Sequence, residues 1–287
     1  MRTWIICGFL AGMLCAAGCA SPDASPDTAS MPDDTTRAEA FTPTSAADSL
    51  ALQVYRAHGG NAWAEAPYLR FDFAIEQGAE EAVVARHLWN RTTGQYRVEW
   101  SNEGSDWVAL LDLHSEGEQP VGRVFENGEE RTGSAAETPL QQAYQRYIND
   151  TYWLLAPLKV LDPGVNRMMG EAAVVADSTL GMDAQVLHLT FGDVGLTPGD
   201  RYWMHVDPET HRVAGWAFHL QNMPDDAQRR AFDWTNEMAF EHEAGTIHLQ
   251  ARKQSTGGGM AITMPTLRLP QTVDRTLFTS GTPNQLQ

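Results

Sequence analysis

Apolar and polar residues alternate with a period of two through most of this chain, and the breaks in that period organise it. Leu69, Phe71, Phe73 and Ile75 alternate with Arg70, Asp72, Ala74 and Glu76, the pattern of a strand with one wet face. It repeats at 83–89, 95–100 and 107–113, separated by turn signals at Gln77-Gly78, Thr93-Gly94 and Gly104-Ser105. Segments 121–125 and 130–132 flank Asn127-Gly128, a hairpin signal because both residues tolerate positive φ. Further strands are expected at 172–176, 184–192, 201–206, 212–220, 230–241, 246–254 and 262–269, with turns at Asp207-Pro208-Glu209-Thr210, Glu243-Ala244-Gly245 and Gly257-Gly258-Gly259.

Two stretches switch to helical spacing. Leu50, Val54 and Ala57 follow a cap at Ser45 or Asp48, Gly59-Gly60 stops the helix, and a short turn over 61–66 leads to Pro67. Between 138 and 155, Leu140, Tyr144, Tyr147, Ile148, Tyr152 and Leu155 recur on one side, with Pro139 in the first turn; Pro157 and Asp162-Pro163-Gly164 close it. A long antiparallel meander accumulates twist and must curl, and two helices are too few to cover both of its faces. The expected fold is therefore mainly β (α+β): one large curved antiparallel sheet forming a half-open β-barrel with covering helices. A two-sheet sandwich is the competing arrangement.

The N-terminus has a different character. Arg2, the apolar run from Trp4 to Leu14, and Ala16-Ala17-Gly18 before Cys19 read as a lipoprotein signal peptide over 1–18. A retained spanning helix is the other reading, but the run falls short of the ~20 residues that a bilayer requires. Cys7 and Cys15 lie inside it, so Cys19 is the one cysteine left afterwards, expected to carry lipid rather than to form a disulfide within the chain. Residues 19–44, rich in Pro, Ser, Thr and Asp, lack the apolar surface needed to order a chain and read as a tether to a single domain over 45–287.

Thirty-seven acidic against twenty basic residues give a net charge of −17, which disfavours nucleic-acid binding. Lys159 and Lys253 are the only lysines, a composition that also suits solubility in high salt. The local signatures of nucleophilic, metal-dependent and phosphate-binding enzymes are missing, so no catalytic residue, metal or cofactor is expected. His242, Glu243 and His248 come nearest to a metal set but match no common zinc spacing. His58 reads as part of a helix stop, 195–200 as a tight loop, and Lys159 as a partner for Asp162 or for a ligand carboxylate.

In organisation the chain resembles the periplasmic lipoprotein carriers and receptors of the LolA/LolB type: an export signal, an N-terminal helix, a meander, a mid-chain helical segment and further strands over about 45–280. It also resembles uncharacterised bacterial outer-membrane lipoproteins with an Ala-His-Gly-Gly stretch, here Ala57 to Gly60, and a Tyr-Trp-Leu-Leu-Ala-Pro-Leu-Lys run, here Tyr152 to Lys159. The Cys19 region resembles the bacterial lipobox, with Ala16 where leucine is usual; by the same resemblance, Ala20 points to the periplasmic face of the outer membrane. The resemblance implies a non-enzymatic receptor for a lipid or acylated ligand, with another envelope protein as a further partner. The concave-face residues it designates are Phe71, Phe73, Trp89, Trp100, Leu189, Phe191, Trp203, Trp216 and Phe218, with Trp153, Leu154 and Leu155 on the covering helix. The same alternation would fill a solid core. A packed structural lipoprotein and a hydrolase with a dispersed site are the alternatives.

Overall fold

The structure, a computed structural model, describes residues 40–115, 120–170, 184–192 and 196–287. The signal peptide, Cys19, most of the tether and the strand expected at 172–176 lie outside the described residues.

Helix α1 (Ala46–Ala57) is capped by Ser45, whose hydroxyl accepts from the Asp48 amide. Gly59 reverses the chain at φ +79°, a conformation open to glycine, and α2 (Gly60–Glu65) follows directly. Six strands come next: β1 (Tyr68–Gln77), β2 (Glu80–Asn90), β3 (Gln95–Asn102), β4 (Ser105–Asp112), β5 (Val121–Glu126) and β6 (Glu129–Arg131). Helix α3 (Ser134–Leu155) runs into a 3-10 turn at Ala156–Leu158. It starts four residues before the expected position, so Pro139 stands inside it rather than near its first residue.

The second half comprises β7 (Val165–Met169), β8 (Gln185–Phe191), β9 (Arg201–Val206), β10 (Val213–His219), β11 (Arg230–His242), β12 (Gly245–Ser255), β13 (Met260–Thr263) and β14 (Leu267–Arg268). All are antiparallel in one sheet of order β6-β5-β4-β3-β2-β1-β13-β12-β11-β10-β9-β8-β7, with β14 beside β1. Two meanders thus join where β1 pairs β13, with Ala74 opposite Thr263. The edges β6 and β7 do not pair, and α3 is the covalent link between them. At 1.5 Å per residue a 22-residue helix reaches about 33 Å, enough to cross the mouth of a curved sheet. The result is a half-open barrel with its helices on the concave side.

Helices α1 and α2 and the end of α3 close over one core, which includes Leu50, Val54, Phe71, Leu189, Trp216 and Leu249; the earlier turns of α3 close over another around Tyr96, Val98 and Val124. Arg167 on β7 pins α1 by pairing with Asp48 at 2.9 Å, holding that carboxyl well below the usual range. On the convex side, residues 270–287 cross strands β1 to β5, with Phe278 and Leu286 seated against Leu88.

Candidate functional site

Strand alternation delivers aromatic rings to the concave face, and α3 adds two more from above. Trp153 meets Trp216, Phe232 and Phe218 with ring centroids at 4.8, 5.1 and 5.8 Å. Tyr152 meets Tyr202, Trp216 and Phe191 at 5.3, 5.7 and 5.9 Å. Trp234 extends the group inward, 5.1 Å from Trp216. Trp216 and Trp234 are buried, whereas Tyr152, Trp153, Phe191 and Tyr202 are only partly covered. One aromatic group therefore runs from the surface beside α3 into the interior.

Of the residues designated from sequence, Phe71, Phe73, Leu154, Leu155, Leu189, Trp216 and Phe218 lie in this core, and Trp89, Trp153 and Phe191 pack against it. Trp100 belongs to the neighbouring group, where it stacks on Trp107 at 6.0 Å and lies under α3. Trp89 links the two through Trp63, Tyr96 and Tyr147. Trp203 lies elsewhere. On β9 it is Met204 and Val206, with Tyr202, that join the concave core, so Trp203 points to the convex side, between the His188 ring and the Arg229 guanidinium 3.6 Å from its ring centre. β9 is largely buried on both faces, with Arg201, Trp203 and His205 alternating with Tyr202, Met204 and Val206, and the bulkiest ring was no guide to the parity.

Three polar centres are built into this interior. His58, at the end of α1, donates from Nδ1 to the His248 carbonyl and accepts at Nε2 from the Val213 amide. Both ring nitrogens are satisfied by the neutral form, and burial lowers its pKa to about 4. The residue read as part of a helix stop is also an uncharged bolt between α1 and the sheet. His87 bridges Asp150 of α3 at 3.1 Å and the Tyr96 hydroxyl at 2.8 Å, with Phe71 stacked at 4.3 Å. Asp150 is an acceptor, so Nε2 donates to it and Nδ1 accepts from Tyr96. Burial of the imidazole outweighs Asp150 and keeps its pKa below the ordinary value. This network fixes α3 to β2 and β3.

The third centre is Lys253 on β12. Ile247, Leu249 and Ala251 precede it on the concave parity, and Lys253 is fully buried beside Trp234, its ammonium 4.8 Å from that ring's centre. The ammonium donates to the Gln250 carbonyl and lies 4.0 Å from the Met264 thioether. Burial alone lowers its pKa to about 7. Nearby, the indole N–H groups of Trp216 and Trp234 have no acceptor among the described residues. The lysine was legible as an apolar-parity outlier on β12, a signal the aromatic pattern masked.

Lys159 pairs with Asp162 at 2.8 Å. His242 and His248 are not brought together: His242 stands opposite Gly245 at the hairpin end, and His248 contacts Arg212 and Glu237. A cleft of about 310 Å³ opens on the convex side, between β1, β2 and the C-terminal segment, lined by Arg70, Leu88, Arg268, Val273, Leu277 and Leu286. No described helix is long and apolar enough to cross a membrane.

Among solved structures the chain is similar to the "putative outer membrane lipoprotein-sorting protein domain" of Vibrio parahaemolyticus, at 8% identity and a TM-score of 0.39, over 80% of this chain and 94% of that one. A DUF1329 family protein of Desulfovibrio piger matches at 11% identity and a TM-score of 0.41, over 83% of this chain and 98% of that one. MucB matches at 14% identity and a TM-score of 0.24, over 84% and 66% of the two chains. No family model matches the sequence, and no curated protein matches it.

Proposed function

We propose that this half-barrel binds the acyl chain of a lipid or acylated ligand against its concave face, beneath the end of α3, as a membrane-tethered envelope protein without enzymatic activity. The observation that carries this reading is the aromatic group of Trp153, Trp216, Phe232 and Trp234, which runs from partly covered rings at the edge of α3 to buried rings inside. Each edge-to-face ring contact adds only about 0.5–1.5 kcal/mol beyond the area it buries, so an aliphatic chain that buries similar area can take the place of one ring against another at modest cost. Trp153 sits where the ligand enters. Asp150, one turn before Trp153, is anchored to His87, so the helix holds its place while the partly covered Trp153 ring yields to the ligand.

Titration with cis-parinaric acid tests this. Saturable binding is expected, with Trp153→Leu weakening it by about tenfold, the effect of roughly 1.4 kcal/mol of lost contact. Trp203→Leu, on the other face, is expected to leave it unchanged. Absence of saturable binding to the unaltered protein sinks the reading.

The tether is proposed on the residues around Cys19. Two acyl chains there would give the stable hold that a single chain lacks and would suit a fixed receptor on the periplasmic face of the outer membrane. Mass spectrometry of the mature N-terminus is expected to find a lipidated Cys19; an unmodified cysteine or an intact Met1 removes the anchor.

A further inference from the structure

We infer that Lys253, together with the indole N–H groups of Trp234 and Trp216, is the seat for the carboxylate end of an acyl ligand in the concave interior. This rests on the reading of that interior as a binding site.

The first ground is what Lys253 lacks. The chain holds 37 acidic residues, and none of those described forms an ion pair with this ammonium, whereas Arg70, Lys159, Arg167 and Arg212 each have one. A buried ammonium without a counter-ion is costly, and a single carbonyl, a thioether and the Trp234 ring face offset only part of that cost. A methionine or leucine would fill the same place on β12 without it. The penalty has no structural return within the described residues, which is the situation of a group kept for a ligand.

The second ground is convergence. Trp234 stands directly opposite Lys253 across the β11–β12 ladder, and Trp216 lies 5.1 Å further along the same face. Both indole nitrogens are buried donors without acceptors among the described residues. Three donor groups thus lie in one apolar region, and beyond the Gln250 carbonyl and the Met264 sulfur the lysine has one N–H left to give. A buried donor set of this kind calls for an acceptor with more than one oxygen and negative charge. A carboxylate meets both needs, and its aliphatic chain would lie along the rings that lead out to Trp153.

The test compares cis-parinaric acid with its methyl ester, using acetate as a competitor that carries the head without the chain. The unaltered protein is expected to prefer the acid by about 10- to 100-fold, the range of a hydrogen bond to a charged group. Acetate is expected to displace neither probe at millimolar concentration, since it lacks the apolar contacts. Lys253→Met should bring the acid-to-ester ratio close to one, and Trp234→Phe, which keeps a ring but removes the donor, should lower it part of the way. Thermal unfolding confirms that each variant is folded. Equal affinity for acid and ester in the unaltered protein, or a preference that survives Lys253→Met, overturns the seat and leaves the acyl-binding interior standing. If neither probe binds, the interior reading fails and the seat fails with it.

Discussion

Lys253→Met is expected to make the ligand-free protein more stable at pH 6, and to do so by a margin that shrinks as pH rises. In the unfolded chain Lys253 has its ordinary pKa near 10.5, and in the native state burial lowers it to about 7. Below pH 7 both states hold the proton, and the native state bears the full penalty of a buried charge. Between pH 7 and 10.5 the unfolded state binds more protons than the native one, so the contribution of this residue to stability rises with pH. The lowering corresponds to a penalty on the order of 5 kcal/mol on the charged form, and methionine, similar in length and apolar, does not bear it. Denaturant unfolding of both proteins from pH 6 to 10 measures the difference. A variant less stable at pH 6 would mean that the Gln250 carbonyl and the Trp234 ring compensate the charge after all. The same experiment with cis-parinaric acid present should narrow the gap, because a ligand that binds only the native state stabilises the unaltered protein more.

The architecture was legible because it rests on period-two alternation, and most strands fall where that period put them. Three features escaped for physical reasons. The pairing of β1 with β13 is non-local, and nothing in either strand's own pattern distinguishes a seam partner from a hairpin partner. β7 follows a helix-closing turn and carries Val165 and the half-exposed pair Met168-Met169, too short and too weakly alternating to stand out. Trp203 sits in a strand largely buried on both faces, where parity is decided by neighbours across the ladder rather than by residue size. The candidate site shows the same division. The concave rings and Lys253 were readable from parity, whereas the polar centres at His58 and His87 depend on partners far away in sequence, such as Val213 and Asp150.

The other large effect is expected at Arg97. This arginine and Glu99 alternate on β3 toward the convex side, where composition suggests a solvated face, yet both are buried. The C-terminal segment covers them. The Arg97 guanidinium pairs with Glu99 at 2.6 Å and donates to the carbonyls of Leu277, Ser280 and Thr282; the Glu99 carboxylate accepts from the amide of Gln285 at 3.2 Å. One ion pair thus satisfies backbone groups along most of the segment that crosses the sheet. Arg97→Met strands a buried carboxylate and leaves three carbonyls without donors, so a loss of about 3–5 kcal/mol is expected. Hydrogen exchange should localise it, with residues 273–287 losing protection first while β1 and β2 keep theirs. The double variant Arg97→Met, Glu99→Leu removes the stranded charge and is expected to recover much of the loss, since a buried pair gives little net stability over an apolar pair of similar volume. If the double variant is no better than the single, the loss comes from the unbonded carbonyls, and Arg97 acts as the clamp on the C-terminal segment rather than as half of an ion pair.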